Sequence, residues 1–253
     1  MIPAALFIVG AIFGSFLNVV AHRVPRGGSI VSPPSACPDC GARIRARDNV
    51  PILSYLALRG RCRDCGVRIP PRYLVVELLA GAVPVPLYAR YGLGREFFVY
   101  WPFAEVLLVL SAIDLSHRIL PDKITLPGIA AGLIVAPLAG ILSFQSSLLG
   151  AAIGGGGLYL IALLGAAVFR KESMGGGDIK LGAMLGAFLG WQATIVMLFV
   201  SFLLGAVVGS ALTARRDRGW DRAVPFGPFL AAGSFLTVLW GRDLLEWYLG
   251  RFG

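Results

Sequence analysis

Charge is what this 253-residue chain has least of: Asp, Glu, Lys and Arg together make 15% of it, with only 14 acids and two histidines. A soluble globular domain carries about 25% charged residues. The shortage, set beside 57% hydrophobic residues and a mean hydropathy of +0.76, argues against a soluble enzyme. It excludes disorder as well, because an unfolded segment cannot leave that much apolar surface in water. No Gly-rich dinucleotide fingerprint follows a strand. Only four cysteines are present, too few for a disulfide-dense secreted scaffold. A polytopic membrane protein remains, and in lipid every backbone polar group must be paired within the chain, so its spans are expected to be helices.

About 20 apolar residues cross the roughly 30 Å hydrocarbon core. Eight such stretches are expected, at 2–21, 73–91, 97–113, 124–142, 147–169, 181–191, 193–213 and 226–240, the sixth of them short. The first reads as a retained helix and not a signal peptide, because no basic residue precedes it and His22 and Arg23 follow it. With the N-terminus outside, loops 23–72, 114–123, 170–180 and 214–225 face the cytoplasm and hold 10, 2, 3 and 4 of the 23 Lys and Arg residues. This bias is the positive-inside rule, so the net charge of +9 needs no nucleic-acid partner; the basic surface suits anionic lipid. The expected organisation is a first transmembrane helix at 1–22, a cytoplasmic loop domain at 23–72 and a transmembrane core at 73–253. Gly182, Gly186 and Gly190 repeat at a helical spacing suited to close packing.

All four cysteines lie in the long loop, as Cys37-Pro38-Asp39-Cys40 and Cys62-Arg63-Asp64-Cys65, with 21 residues between the pairs. Two CxxC turns at this spacing aim four thiolates at one tetrahedral Zn²⁺, and Gly41 and Gly66 relieve the turns. A reducing cytoplasm disfavours the alternative of two disulfides. Four protein ligands leave no open position, so the expected zinc is structural.

Ionisable groups in or beside spans are costly and so draw attention. Asp114 ends the third span and Asp178 opens the sixth, after Gly175-Gly176-Gly177. Alone, either Asp reads as a helix cap or an ion-pair partner. Two carboxylates meeting at one interface would share a proton, one activating water while the other donates, as aspartic peptide hydrolysis requires. The glycine run clears side chains from where a substrate backbone must lie. Asp122 reads as a helix N-cap. Lys180 either biases this pair or snorkels to the interface, and Trp101, Trp191, Trp240 and Trp247 suit interfacial belts.

The chain resembles the type IV prepilin peptidases, the leader peptidase/N-methyltransferases of the GxGD group of membrane aspartic proteases. The resemblance rests on Gly14-Ser15-Phe16-Leu17-Asn18 with Arg23 and Pro25, both CxxC pairs, 48–55, 59–62, 69–73 leading to Glu77, Ile113-Asp114 with 120–122, 175–181 and Pro225-Phe226-Gly227-Pro228-Phe229. It implies Asp114 and Asp178 as the catalytic aspartates, with Gly175, Gly177 and Lys180 in the signature that meets substrate. It implies a prepilin or pseudopilin substrate in the bacterial inner membrane, cut at the cytoplasmic face between a short basic leader and a hydrophobic helix. It further implies N-methylation of the new terminus with S-adenosylmethionine, for which Asp48, Asn49 and Glu77 are the candidates. Asp48-Asn49 otherwise reads as a turn before Pro51, and Glu77 as a buried partner for an arginine. The Pro225–Phe229 block is expected to form a tight loop near the active site.

Overall fold

The computed structural model describes residues 1–169, 174–214 and 224–252. Arg170, Lys171, Arg215, Arg216, Arg218 and Arg222, six of the cations behind the orientation argument, lie outside the described residues. Among the described residues the chain is helical without strands, apart from the isolated bridges Ala36–Arg43 and Arg61–Arg68. It forms two units, Met1–Ile113 and Asp114–Gly253.

In the first unit α1 (Ile2–Arg23) lies against α3 (Arg72–Ala82). Their backbones approach through small residues: a Cβ on Gly14 would stand 2.8 Å from both Ala80 Cβ and Glu77 Cα, and one on Gly10 would run into the Ala80 carbonyl. Asn18 Nδ2 donates to the Tyr73 carbonyl at 3.0 Å, pinning the end of α1 to the start of α3. Between them the loop carries one short helix, α2 (Leu53–Ala57). Pro84 opens α4 (Pro84–Tyr91), where its missing N–H costs nothing, and α5 follows at Arg95–His117. Trp101 of α5 stacks edge-on against Phe13 with ring centres 5.8 Å apart, and its Nε1 donates to Glu105 at 2.9 Å, so it is tied into the protein instead of standing alone at an interface.

The second unit wraps four helices around α8 (Gly176–Leu189): α6 (Asp122–Leu138), α7 (Phe144–Phe169), α9 (Trp191–Ala214) and α10 (Gly227–Phe252). From Leu181 to Leu189 every residue of α8 except Ala183 is buried. The glycines make this possible. Gly150 and Gly154 of α7 face Gly186 and Gly182 of α8 so closely that a Cβ on any of the four would strike the opposing backbone. On the α6 side Gly128 and Gly132 receive Met184 and Ala187. Ser147 Oγ donates to the Ala187 carbonyl at 2.6 Å. Gly190, at φ +76°, then turns the chain into α9.

Among the described residues five segments are long and apolar enough to cross a membrane: Ile2–Arg26, Arg72–Tyr91, Arg95–His117, Phe144–Val168 and Trp191–Ala211. Their outward faces carry large apolar side chains, among them Ile8, Leu160, Phe199 and Val207, each more than half exposed. The stretches expected at 124–142, 181–191 and 226–240 are not among the five. Their helices have 17, 14 and 26 residues, and α8 at about 21 Å is shorter than the hydrocarbon core. α10 is long enough, but Arg242, Asp243, Glu246 and Arg251 occupy its second half.

Gly186→Val should therefore force α7 and α8 apart, at a cost on the order of 3 kcal/mol, visible as a clear fall in the thermal unfolding midpoint of the detergent-solubilised protein. An unchanged midpoint would show that the contact is not needed.

Candidate active site and metal centre

Asp114 and Asp178 both belong to the second unit, and each meets a backbone N–H at the start of a helix. Asp114, buried in the last turns of α5, accepts the Gly227 N–H on Oδ2 at 3.0 Å. Gly227 opens α10, so its N–H is one of the four that no helical carbonyl takes. A Cβ at Gly227 would lie 2.6 Å from Asp114 Oδ2, which is why the approach needs glycine. Pro228 follows at a position where its missing N–H is harmless. Asp178 is the third residue of α8 and reaches back to the N–H of Gly175, the N-cap, as the carboxylate of a capping box does. The two carboxylates are near enough for the charge on Asp114 to act on Asp178. Gly177 packs its Cα side against Leu120, whose Cβ would be 3.0 Å from an added Cβ, and Gly175 is exposed beside the Asp178 carboxylate.

Lys180 is engaged elsewhere. Its Nζ donates to both oxygens of Asp122, at 2.7 and 2.8 Å, tying the starts of α8 and α6. Asp122 is thus the first residue of α6 and an ion-pair partner; the N-cap is Pro121, with extended backbone.

In the loop the four sulfurs lie within 4.8 Å of one another, with Cys37 Sγ and Cys65 Sγ 3.8 Å apart. A tetrahedron with Zn–S bonds of about 2.3 Å has edges of about 3.8 Å. The two halves are built alike. The Gly41 N–H donates to Cys37 O at 2.9 Å and the Gly66 N–H to Cys62 O at 3.0 Å, both glycines being left-handed at φ +70° and +73°. All four thiols are free. The N–H groups of Cys65 and Asp64 bring the Cys62 thiol down to about 7. The Val67 N–H favours the Cys65 thiolate, but burial and the crowd of three other sulfurs outweigh it and push this thiol up to about 12. Four such sulfurs cannot all ionise together without a cation among them. The cluster has the form of a metal centre.

Of the three other candidates, Asp48 is taken by Arg63, whose Nε and Nη2 reach its Oδ1 at 3.0 and 2.6 Å and hold its carboxyl below the ordinary range. This pair ties the 46–48 turn to the second CxxC. Asn49 lines a groove, and Glu77 bonds to two of that groove's residues. The groove, of about 860 Å³, runs between α1 and the loop, lined by Asn49, Pro51 and Ile52 and, on α1, by Ser15. Behind its wall Glu77 accepts the Ile52 N–H on Oε2 at 2.8 Å and a hydrogen bond from Ser15. Its partners are thus a backbone amide and a hydroxyl, where an arginine was the expectation. Ile52 itself sits at φ +64°, ψ −55°, closing a tight γ-turn in which the Leu53 N–H meets Pro51 O at 2.6 Å. For a β-branched residue this is a strained conformation. Sequence reasoning expected the 225–229 block near the active site without naming the Gly227 donor, and it singled out neither Ser15 nor Ile52; Gly227 before Pro228 and an apolar run was the local signal for the donor.

Helices long and apolar enough to cross a membrane, a four-cysteine cluster able to hold a metal ion and two aspartates at helix ends define a class of polytopic membrane proteins. Residues 8–91 match the family model described as the bacterial peptidase A24 N-terminal domain, and residues 101–210 match the type IV leader peptidase family. The chain is 39% identical over 259 residues to a prepilin leader peptidase/N-methyltransferase of Pseudomonas putida, covering 94% of this chain and 90% of that one. It is 37% identical to the protein of the same description from Aeromonas hydrophila, covering 98% and 93%, and 38% identical to one from Burkholderia pseudomallei strain 1026b, covering 94% and 85%. No solved structure matches it. The chain belongs to the type IV leader peptidase family.

Removing the Arg63 side chain frees Asp48 and unties the loop. Arg63→Ala should speed tryptic cleavage within 43–68 while leaving the membrane helices intact on a gel; equal rates would mean that the pair does not hold the loop.

Proposed function

We propose that the chain removes the leader of a type IV prepilin or pseudopilin by an aspartic dyad of Asp114 and Asp178, and N-methylates the new terminus. The observation that supports the first half is that the charge of Asp114 reaches Asp178 and that each carboxylate has a backbone N–H at the start of a helix beside it. With Gly227 holding Oδ2 of Asp114, Oδ1 is left to share a proton across the pair. The ionised carboxyl takes a proton from water as its oxygen attacks the scissile carbonyl, and the protonated one supplies a proton to the carbonyl oxygen. Collapse of the intermediate breaks the C–N bond and the leaving amine takes a proton back. Gly175, exposed beside Asp178, leaves an open edge for the substrate backbone. In this reading Lys180 acts through its bond to Asp122, which steadies the first turn of α8.

The eight-span count and the cytoplasmic orientation belong to the same reading. In it α6 and the first half of α10 cross beside the five longer segments, α8 crosses while shielded from lipid by its neighbours, and the dyad lies at the cytoplasmic face. Cys37, Cys40, Cys62 and Cys65 hold one structural zinc, which staples a loop too polar to fold on a core of its own. S-adenosylmethionine supplies an electrophilic methyl group. Asn49 and Glu77 remain the candidates on its side of the chemistry, while Asp48 is a structural tie.

Asp114→Asn and Asp178→Asn should each lower cleavage of a prepilin peptide by roughly a thousandfold or more, read by intact mass, and each should still methylate a synthetic precleaved peptide. Cleavage retained in either variant would sink the dyad. Metal analysis should find about one zinc per chain, lost in Cys62→Ser; a fully active, metal-free preparation would refute the structural zinc.

A further inference from the structure

The end of α5 keeps an arginine where the backbone favours glycine. Arg118 follows His117, the last residue of the helix, at φ +56°. Its N–H donates to the Asp114 carbonyl at 2.8 Å. A single bond of this kind, back over four residues, closes many helices, and its left-handed position usually falls to glycine because a Cβ crowds the backbone there. A large side chain held at such a position points to a task for that side chain. Arg118 is exposed and makes no hydrogen bond or close ion pair among the described residues. Its charge nevertheless acts on Asp114, so the guanidinium stands within electrostatic reach of the dyad. Lys180, by contrast, is spent on Asp122.

Hydrolysis creates a charge problem at this point. The oxygen of water joins the acyl carbon, the C–N bond breaks, and the proton of the new acid passes to the amine. Near neutral pH the leader then ends in a carboxylate and the remainder begins with an ammonium. Two aspartates sharing one proton carry one negative charge, and the new carboxylate forms against it, which costs free energy. A guanidinium answers this directly: it stays charged at any working pH and grips a carboxylate through two parallel N–H donors.

We propose that Arg118 receives the carboxylate that cleavage creates on the leader, offsetting its repulsion by the dyad. This rests on the proposed dyad and orientation, in which residues 114–123 lie at the cytoplasmic face. That is the leader's side of the scissile bond. The ammonium forms on the side of the hydrophobic helix, and a cation would repel it.

The test uses the full chain in detergent and a prepilin peptide, with the leader alone added as inhibitor. The leader is supplied once as its free C-terminal acid and once as its amide, which differ in that one charge. Dependence on the dyad is measured first: no cleavage by the parent chain, or cleavage kept in Asp178→Asn, removes the dyad reading and this inference with it. With dyad-dependent cleavage present, the acid should inhibit the parent chain about tenfold more strongly than the amide. Arg118→Gly should abolish that difference while the thermal midpoint holds or rises, since glycine accepts the left-handed backbone. Arg118→Lys, a point charge without the fork, should keep part of the preference. Equal inhibition by acid and amide in the parent chain, or a full preference retained in Arg118→Gly, would overturn the carboxylate site and leave the dyad standing.

Discussion

The contact on which the second unit depends is the one between two bare backbones, Gly150 and Gly154 of α7 against Gly186 and Gly182 of α8. Lipid tails are as apolar as leucine, so burying apolar side chains gives helices little reason to associate there; close packing does. With no Cβ at four positions, α7 comes near enough to cover one side of α8 while α6 covers another through Gly128 and Gly132. A helix of 14 residues, too short to span by itself, is thereby covered by its neighbours from Leu181 to Leu189 except at Ala183. Its first turn carries Asp178. The position of that carboxylate follows from a packing contact some turns away along α8.

The aspartates illustrate how the start of a helix orients a carboxylate. A carboxylate at a helix N-terminus meets N–H groups with no partner and the positive end of the helix dipole. Asp178 finds both at its own helix, through Gly175, and Asp114 finds both at α10, through Gly227. Caps of this kind fix a side chain's orientation, which a hydrolytic pair requires as much as a stable helix does. The capping reading and the catalytic reading of these residues are therefore not rivals, since the cap aims the group.

The loop follows another economy. Between the spans it has no apolar mass to fold around, and it is ordered by polar ties: two matching Cys turns, Asp48 to Arg63, and Glu77 to the amide of Ile52. One of these, Glu77, is anchored on α3, so the membrane helix shapes the loop that covers the groove.

Much of this was legible in the sequence. The spacing of the CxxC pairs, the glycine repeat at 182, 186 and 190 and the family blocks are local patterns, and local patterns survive in one dimension. The segments at 124–142, 181–191 and 226–240 read as spans on composition alone, yet in the structure their helices are short or charged at one end, because hydropathy does not register which helix is shielded by its neighbours. The Lys180–Asp122 pair, the Gly227 N–H on Asp114 and the meeting of Ser15, Ile52 and Glu77 join residues 58, 113 and up to 62 positions apart. The sequence by itself determined the membrane class, the family and the residues able to carry charge or metal, since these depend on composition and short spacing. Tertiary structure alone decided which carboxylate faces which partner, because that depends on how closely glycine-bearing helices approach, a distance no single segment contains.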